Sequence, residues 1–159
     1  FGCGQSAPLL RELLGKGITK KAIGIDLAPD FSAGSETLVL YRGDLNEPLP
    51  LDDNNLDVAL SLATLEHLDE PDLHLREIYR ILKPGGLLLL TTPSPRGKPV
   101  LEFLSYRLKI IDRREIEDHR QYFNSNMLET ALTNAGFTRA AITARTFQLG
   151  MNNIVIARK

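Results

Sequence analysis

Short continuous apolar runs alternate along the chain with longer stretches in which apolar residues recur at helical spacing. Continuous apolar runs are typical of buried parallel strands, and they predict strands at residues 21–27, 37–42, 56–62 and 87–92. Helical spacing predicts helices that begin at Leu9, span about residues 71–82 and span residues 126–134. The tail predicts two last strands, at about residues 139–147 and 153–158, which must pair antiparallel because their connection is short.

Residues typical of helix ends support these boundaries. The turn Lys83-Pro84-Gly85-Gly86 stops the second helix, since proline cannot continue a helix and glycine makes the turn. Asn126 and Glu129 have the spacing of a capping box at the start of the third helix. Gly136 is placed to end that helix.

The order of these elements predicts an α/β fold. Strand–helix–strand repeats indicate a Rossmann-like, doubly wound, mostly parallel sheet with helices on both faces and an antiparallel C-terminal strand pair. Right-handed crossovers place the loops after the parallel strands at one edge of the sheet, where ligands bind. We expect one domain over residues 1–159. An insertion is expected at about residues 94–122, where the alternation of strands and helices stops.

A glycine-rich turn lies immediately before the first helix, in Gly2-Cys3-Gly4-Gln5-Ser6-Ala7. Glycine permits a positive φ and a close approach of the backbone to a ligand, and the helix that follows adds free N–H groups. Such a turn should follow a buried strand, and here only Phe1 precedes it. We therefore expect the sequence to begin inside its own motif, with a central gap in the sheet that upstream residues fill or, as a weaker alternative, another chain.

The spacing Gly2-x-Gly4-x-x-Ala7 fits a dinucleotide fingerprint, and Asp26 lies about twenty residues further on at the end of a predicted strand. A carboxylate there accepts hydrogen bonds from ribose hydroxyls, although it can also serve as a turn or helix cap. By themselves these residues fit NAD, FAD or S-adenosylmethionine (SAM).

Composition narrows the class of protein. The 159 residues are 43% hydrophobic and 25% charged, with a formal net charge of −1, which gives no electrostatic reason to expect nucleic acid as a partner. One cysteine and three histidines disfavour a disulfide framework and a zinc site, so no metal is expected. No apolar run reaches the ~20 residues of a membrane span. We expect a cytoplasmic protein with a small-molecule substrate.

Taken together, these motifs resemble those of class I SAM-dependent methyltransferases, in particular the small-molecule group that includes the ubiquinone-biosynthesis enzymes. The matching segments follow the family's order along nearly the whole chain: Phe1-Gly2-Cys3-Gly4, Ile23-Gly24-Ile25-Asp26, Gly43-Asp44-Leu45, Leu56-Asp57-Val58-Ala59-Leu60-Ser61, Glu66-His67-Leu68, Leu82-Lys83-Pro84-Gly85-Gly86 and Ala135-Gly136-Phe137. The chain departs from the family pattern at Ser6, which stands at the third glycine of the first motif and is expected to cap the helix.

The resemblance implies SAM as cofactor and a position for each of its parts. The methionine part of SAM would lie along the backbone of the turn, and the ribose and adenine would lie at the ends of the next two strands. Residues at the end of the strand over 56–62 would line the inner side of the cofactor. The implied cofactor-binding residues are, in that order, Gly2, Cys3 and Gly4; Asp26 and Leu27 for ribose and the adjoining adenine; Asp44 and Leu45 for the adenine amino group and a ring nitrogen; and Ser61 and Leu62.

Methyl transfer from a sulfonium is an in-line displacement, and a base is needed only if the acceptor is a hydroxyl or a carbon acid. His67, beyond a strand at the ligand-binding edge, and His119, next to Glu117 and Asp118, are the candidate catalytic residues. Local packing of His67 and a solvated loop around His119 are the alternatives. His74 lies in an amphipathic helix and is expected at the surface, with no role in the chemistry.

The insertion at residues 94–122 lies where this fold places its substrate lid. Tyr106, Arg107 and Tyr122 are the candidate acceptor-binding residues, and the apolar and basic character of the segment suits a lipid-like or anionic acceptor. The same segment would also suit packing on the core or a homodimer contact. Two other functions stay open: a non-catalytic module of the same fold that binds a cofactor or partner, and a nicotinamide-dependent oxidoreductase.

Overall fold

A computed structural model of the protein describes residues 1–97, 99 and 120–159. The helices in this part of the chain are α1 (Pro8–Gly15), α2 (Pro71–Ile81) and α3 (Ser125–Ala135). The strands are β1 (Ala22–Asp26), β2 (Leu38–Arg42), β3 (Leu56–Leu62), β4 (Leu82–Pro93), β5 (Ile142–Phe147) and β6 (Asn152–Arg158). The order of elements is therefore the predicted one.

The strands form two hydrogen-bonded sheets. Strands β1 and β2 pair in parallel, and the second sheet has the order β3-β4-β6-β5. In the second sheet β3 and β4 are parallel, whereas β6 is antiparallel to both of its neighbours. The sheets part between β1 and β3, which is the predicted position of the gap.

Phe1 and Gly2 connect the two sheets. The main-chain nitrogen of Phe1 donates to the carbonyl oxygen of Leu60 in β3 at 2.7 Å. The N–H of Gly2 donates to the carbonyl oxygen of Ile25 in β1 at 2.9 Å. The glycine-rich turn is thereby fixed to the carboxyl ends of both parallel strand groups.

Helices cover the two faces of the fold unequally. On one face α2 and α3 pack on the second sheet. The side chains with no more than 1% exposure there include Leu75, Ile78 and Ile81 of α2, Leu88 and Leu90 of β4, Leu128 and Leu132 of α3, and Val155 of β6. On the other face α1 packs on β1 and β2 through a smaller apolar cluster around Ala7, Leu38 and Leu40. Val58 and Ile156, on β3 and β6, remain about half exposed on that face.

The ends of α3 combine one confirmed prediction with one error. Asn124, not Asn126, is the N-cap, and its side-chain oxygen accepts a hydrogen bond from the N–H of Met127 at 3.0 Å. Asn126 lies inside the first turn, because the helix begins one residue earlier than the predicted range. Gly136 ends the helix as predicted, with φ of 119°, and a Cβ there would come within 2.8 Å of the Tyr79 ring.

Other boundaries also differ from the predicted ones. The N-cap of α1 is Ala7, with a left-handed φ of 45° and no side-chain cap, so Ser6 does not cap the helix. Strand β4 starts at Leu82 and includes the 83–86 turn, with an irregular register against β3. A short 3-10 turn, Arg139–Ala141, precedes β5.

In the described ranges, no helix is long and apolar enough to cross a membrane. Most of the predicted insertion, including the amphipathic pattern at residues 99–111, lies outside the described residues.

Candidate functional site

The glycine-rich turn adopts the backbone conformation that its sequence predicts. Gly2 and Gly4 have φ of 63° and 70°, in the left-handed region that favours glycine. A Cβ on Gly2 would also lie 2.6 Å from Oγ1 of Thr64, whereas a Cβ on Gly4 would meet nothing within 4 Å. Gly2 is thus required for packing against the end of β3, and Gly4 borders open space that a ligand can occupy.

Asp26 ends β1 directly beside this turn. Its Oδ2 accepts a hydrogen bond from the N–H of Gly4 at 2.8 Å, and its Oδ1 accepts one from the N–H of Ala28 at 3.3 Å. Each carboxylate oxygen has two lone pairs, so each can accept one more donor. The next residue, Leu27, exposes 61% of its surface. A carboxylate with two remaining acceptor sites and an exposed apolar neighbour suits a ribose and the ring attached to it.

Asp44 follows β2 at the same edge. Its Oδ1 accepts hydrogen bonds from both the main-chain N–H and the side-chain amide of Asn46, each at 2.9 Å. The side chain of Leu45 is buried in the core, so its predicted contact with a ring nitrogen would come from its main-chain N–H. Asp26 and Asp44 therefore lie at adjacent strand ends, since β1 and β2 are paired in register from Ala22↔Leu38 to Asp26↔Arg42.

The end of β3 forms the other side of the turn. Leu62 and the turn residues Gly2 and Cys3 border a small, largely apolar cavity of about 170 Å³ that Leu9 of α1 also lines. The side chain of Ser61 points to the opposite face, is fully buried and forms a hydrogen bond of 3.2 Å with Nε2 of His74. Any cofactor contact of Ser61 in this arrangement would involve its main chain.

His74 is fully buried, so the prediction of a surface position is wrong. The helix α2 packs with this side chain toward β3, where its ring meets the Phe1 ring edge-on at a centroid distance of 5.5 Å. Burial disfavours the imidazolium and lowers the pKa of His74 to about 3, while Nδ1 has no hydrogen-bond partner. His74 is therefore a neutral residue of the core.

Glu66 and His67 lie in the short 3-10 turn Leu65–His67 after β3. Glu66 is buried, Oγ1 of Thr92 donates to its Oε2 at 2.9 Å, and burial raises the pKa of its carboxyl. Its carbonyl oxygen accepts from the N–H of Arg120 at 2.9 Å, and Arg120 forms an ion pair with Asp69. His67 is half-buried at the same edge. The turn after β3 and Asp69 therefore hold Arg120 in place through these two contacts.

A larger cavity of about 630 Å³ lies between the start of α2 and α3. Its walls include the carboxylates of Asp69 and Asp72, the ring of Phe123 and the side chain of Met127. Tyr122 is half-buried and does not line this cavity, although its sequence neighbours Gln121 and Phe123 do.

The remaining predicted acceptor and catalytic residues, Tyr106, Arg107 and His119, lie outside the described residues. Within residues 1–97, 99 and 120–159, no group of His, Cys, Asp and Glu side chains is arranged to hold a metal ion.

The sequence motifs did not predict a role for two residues of this region, Thr64 and Asn46. Thr64 packs on Gly2, and its Oγ1 donates to the carbonyl oxygen of Leu62 at 3.1 Å, an arrangement for which the sequence holds no recognisable signal. Asn46 bonds both to Asp44 and to the start of α2. The Asp44-x-Asn46 spacing is typical of an Asx turn and would have indicated the first of these contacts.

Comparison with known families decides between the candidate cofactors. A protein-family model described as a methyltransferase domain matches residues 1–90, which is more than half of the chain. The chain belongs to the class I SAM-dependent methyltransferases. The predicted family, fold class and cofactor are confirmed at this level.

Individual relatives agree with this family. A probable SAM-dependent methyltransferase of Mycolicibacterium smegmatis is 30% identical over 99 residues, covering 58% of this chain and 36% of the relative. A ubiquinone biosynthesis O-methyltransferase of Sinorhizobium fredii is 32% identical over 98 residues, covering 58% of this chain and 39% of the relative. The chain thus spans less than half the length of these curated relatives.

A solved SAM-dependent methyltransferase from Mesorhizobium loti has the same fold, with a TM-score of 0.74 over 99% of this chain and 88% of the other at 19% identity. The residues of the present chain fit the cofactor of the family: the turn offers open space at Gly4, and the two carboxylates at adjacent strand ends keep unused acceptor sites.

Proposed function

We propose that this chain binds SAM along the edge formed by the glycine-rich turn, Asp26 and Asp44, and that the protein transfers its methyl group to a small-molecule or lipid-like acceptor. The observation that carries the proposal is the hydrogen bond of 2.8 Å between the Gly4 N–H and the Asp26 carboxylate. This hydrogen bond joins the turn, where the methionine part is expected, to the carboxylate, where the ribose is expected, so that the two form one connected site.

SAM supplies the activated methyl group, so the chain's own residues chiefly bind, orient and exclude water. Asp26 would accept hydrogen bonds from the ribose hydroxyls, and the exposed Leu27 would lie beside the adenine. Asp44 would accept from the adenine amino group, and the backbone of Gly2, Cys3 and Gly4 would bind the methionine part. Leu62 and the main chain of Ser61 would line the inner side of the cofactor.

The acceptor side of the proposal has less support. His67 would act as a base for a hydroxyl or carbon acceptor, supported by its half-buried position in the turn after β3. Tyr122 stays a prediction as an acceptor-binding residue, because its neighbours Gln121 and Phe123 line the 630 Å³ cavity and Tyr122 does not. Tyr106, Arg107 and His119 stay predictions, as do the homodimer, the absence of a nucleic-acid partner and the cytoplasmic location.

Calorimetric titration of the chain with S-adenosylhomocysteine tests the proposal, with NADH as the control ligand. Micromolar binding of S-adenosylhomocysteine without binding of NADH is the expected result. Binding of NADH alone would favour the oxidoreductase. Binding of neither ligand would contradict cofactor binding by this chain, whereas binding without methyl transfer to any acceptor offered would favour the non-catalytic module.

A further inference from the structure

Asn46 connects the proposed adenine end of the site to the start of α2. Its side-chain amide nitrogen donates to Oδ1 of Asp44 at 2.9 Å, and its side-chain oxygen accepts from the N–H groups of Asp69 and Glu70 at 2.8 and 3.0 Å. We infer that Asn46 is a positioning residue that aims the Asp44 carboxylate at the adenine amino group. The inference rests on the proposed SAM site.

The orientation of the Asn46 amide follows from its neighbours. One end of the amide faces a carboxylate oxygen, which only accepts hydrogen bonds, and the other end faces two N–H groups, which only donate. Turning the amide over would place oxygen against oxygen and NH₂ against N–H. Asn is therefore suited to this position in a way that Asp, Ser and Ala are not, since each lacks the donor, the acceptor reach or both.

The consequence for Asp44 is that its two oxygens become different. Oδ1 receives two donors, the main-chain N–H and the side-chain amide of Asn46, which use both of its lone pairs. Among the described residues no donor lies within hydrogen-bond distance of Oδ2. With Oδ1 fixed, rotation of the carboxylate is restricted, and Oδ2 is the oxygen that remains for a ligand donor.

The side-chain oxygen of Asn46 connects Asp44 to the residues just before α2. Asp69 and Glu70 follow the turn that contains Glu66 and His67, and Glu70 is the N-cap residue of α2 without a side-chain cap of its own. Asn46 bonds their N–H groups from the neighbouring loop. One side chain therefore sets both the carboxylate proposed for adenine and the connection that leads from the candidate base to α2.

The test compares two probes that differ at the group concerned. S-adenosylhomocysteine carries the amino group that Asp44 would accept from. The analogue with an unsubstituted purine in place of adenine has a hydrogen there and keeps every ring nitrogen as an acceptor, so the expected contact of the Leu45 N–H is unchanged. We expect the wild-type chain to prefer the adenosyl compound by roughly tenfold or more in calorimetric titration, as for the loss of a charge-assisted hydrogen bond. Asn46→Ala should reduce this preference several-fold by releasing Asp44.

Asn46→Asp separates positioning from loop stability. It keeps an oxygen for the Asp69 and Glu70 N–H groups but removes the donor to Asp44 and adds a like charge. We expect it to lose the preference between probes, and repulsion between the two carboxylates should also lower its Tm, so binding is compared at a temperature at which both chains are folded. Glu47→Ala, at the exposed next residue, is the matched control and should keep the wild-type preference.

The outcomes distinguish the inference from the proposal beneath it. If the wild type prefers the adenosyl compound and folded Asn46→Asp and Asn46→Ala keep that preference, Asn46 stabilises the loop only, and the inference is overturned. If the wild type binds both probes equally, the adenine contact of Asp44 is itself wrong, and Asp44→Asn should then bind both as the wild type does. If neither probe binds the wild type, the proposed cofactor site fails, and the inference fails with it.

Discussion

The carboxylates of the site differ in how many of their acceptor positions the protein's own donors already use. Asp26 accepts one N–H on each oxygen, Asp44 accepts two on a single oxygen, and Glu66 is buried against a hydroxyl. The first two keep acceptor sites at the surface and suit a ligand. Glu66 is shielded from solvent, and its raised pKa agrees with a structural role beneath the site.

Substitution of Asp26 should weaken cofactor binding. Asp26→Ala removes the acceptor for the ribose hydroxyls and for the Gly4 N–H, and we expect a loss of about 1.5–3 kcal/mol in the free energy of S-adenosylhomocysteine binding, measured by calorimetry. Asp30→Ala is the control, because Asp30 is exposed on the same connection and its side chain, within the described part of the chain, bonds only to Ser32. Unchanged affinity in folded Asp26→Ala would exclude the ribose contact.

The buried His74 should make the protein sensitive to mild acid. Its pKa is about 3 in the folded chain against an ordinary value of 6.5, so between these values the unfolded chain binds the extra proton. Stability therefore falls as pH drops below 6.5, by up to about 1.4 kcal/mol per pH unit from this residue. His74→Gln, which can still bond Ser61, should flatten the dependence of the unfolding free energy on pH between about pH 7 and about pH 5.

Urea unfolding at several pH values measures this slope. His67→Gln is the matched control, since it removes a half-buried histidine at the same end of β3 without touching Ser61. Equal slopes for wild type and His74→Gln would show that His74 is protonated as readily in the folded chain as in the unfolded one.

Among the elements, α3 shows how a local signal can be assigned to the wrong residue. Asn124 and Asn126 are both good cap residues by type, and the i, i+3 spacing to Glu129 favours Asn126. In the structure the helix starts at Ser125, and the side chain of Asn124 accepts from the N–H of Met127. The residue type and spacing alone therefore did not distinguish the two asparagines.

Replacement of the two asparagines separates these assignments. Asn124→Ala should lower the free energy of unfolding by about 1 kcal/mol, because the N–H of Met127 loses its acceptor. Asn126→Ala should be close to neutral, because its exposed side chain lies within the first turn and alanine favours helix. Chemical denaturation measures both, and a larger effect at Asn126 would restore the capping box as predicted.

At the scale of the whole molecule, the candidate site joins two sheets between which the described strands form no hydrogen bonds. Gly2 bonds to Ile25 in the first sheet, and Phe1 bonds to Leu60 in the second. The Asn46 contacts with Asp69 and Glu70 connect the same two parts at the carboxyl edge. A ligand bound to Asp26, Asp44 and the turn would therefore contact elements from both parts.

Ligand binding should stabilise the molecule as one unit. At a free concentration of S-adenosylhomocysteine 100 times its dissociation constant, the native state gains about 2.7 kcal/mol, which corresponds to a rise in Tm of roughly 5–10 °C for a chain of this size. We expect a single calorimetric transition that shifts as a whole. Two transitions of which only one shifts would show that the sheets unfold separately and that the ligand contacts one of them.

The pattern of apolar residues, and the glycines and prolines that end helices or form turns, predicted the elements because these signals are local. The runs at β1–β4 and the spacing of α2 depend on residues next to each other in the chain, as do the positive φ at Gly2 and Gly4. The boundaries at α3, β4 and β5 were less accurate, because competing local signals there are decided by packing. The surface position predicted for His74 is wrong for the same reason.

The sequence by itself determined the α/β order, the glycine-rich turn, the two carboxylates at strand ends and the family with its cofactor, since each is encoded by contiguous residues or by their order. Only the tertiary structure decided the burial of His74 and Ser61, the shielding of Glu66, the packing of Thr64 on Gly2 and the double role of Asn46. Each of these joins side chains that are distant in the chain, and such contacts exist only once the strands and helices have packed.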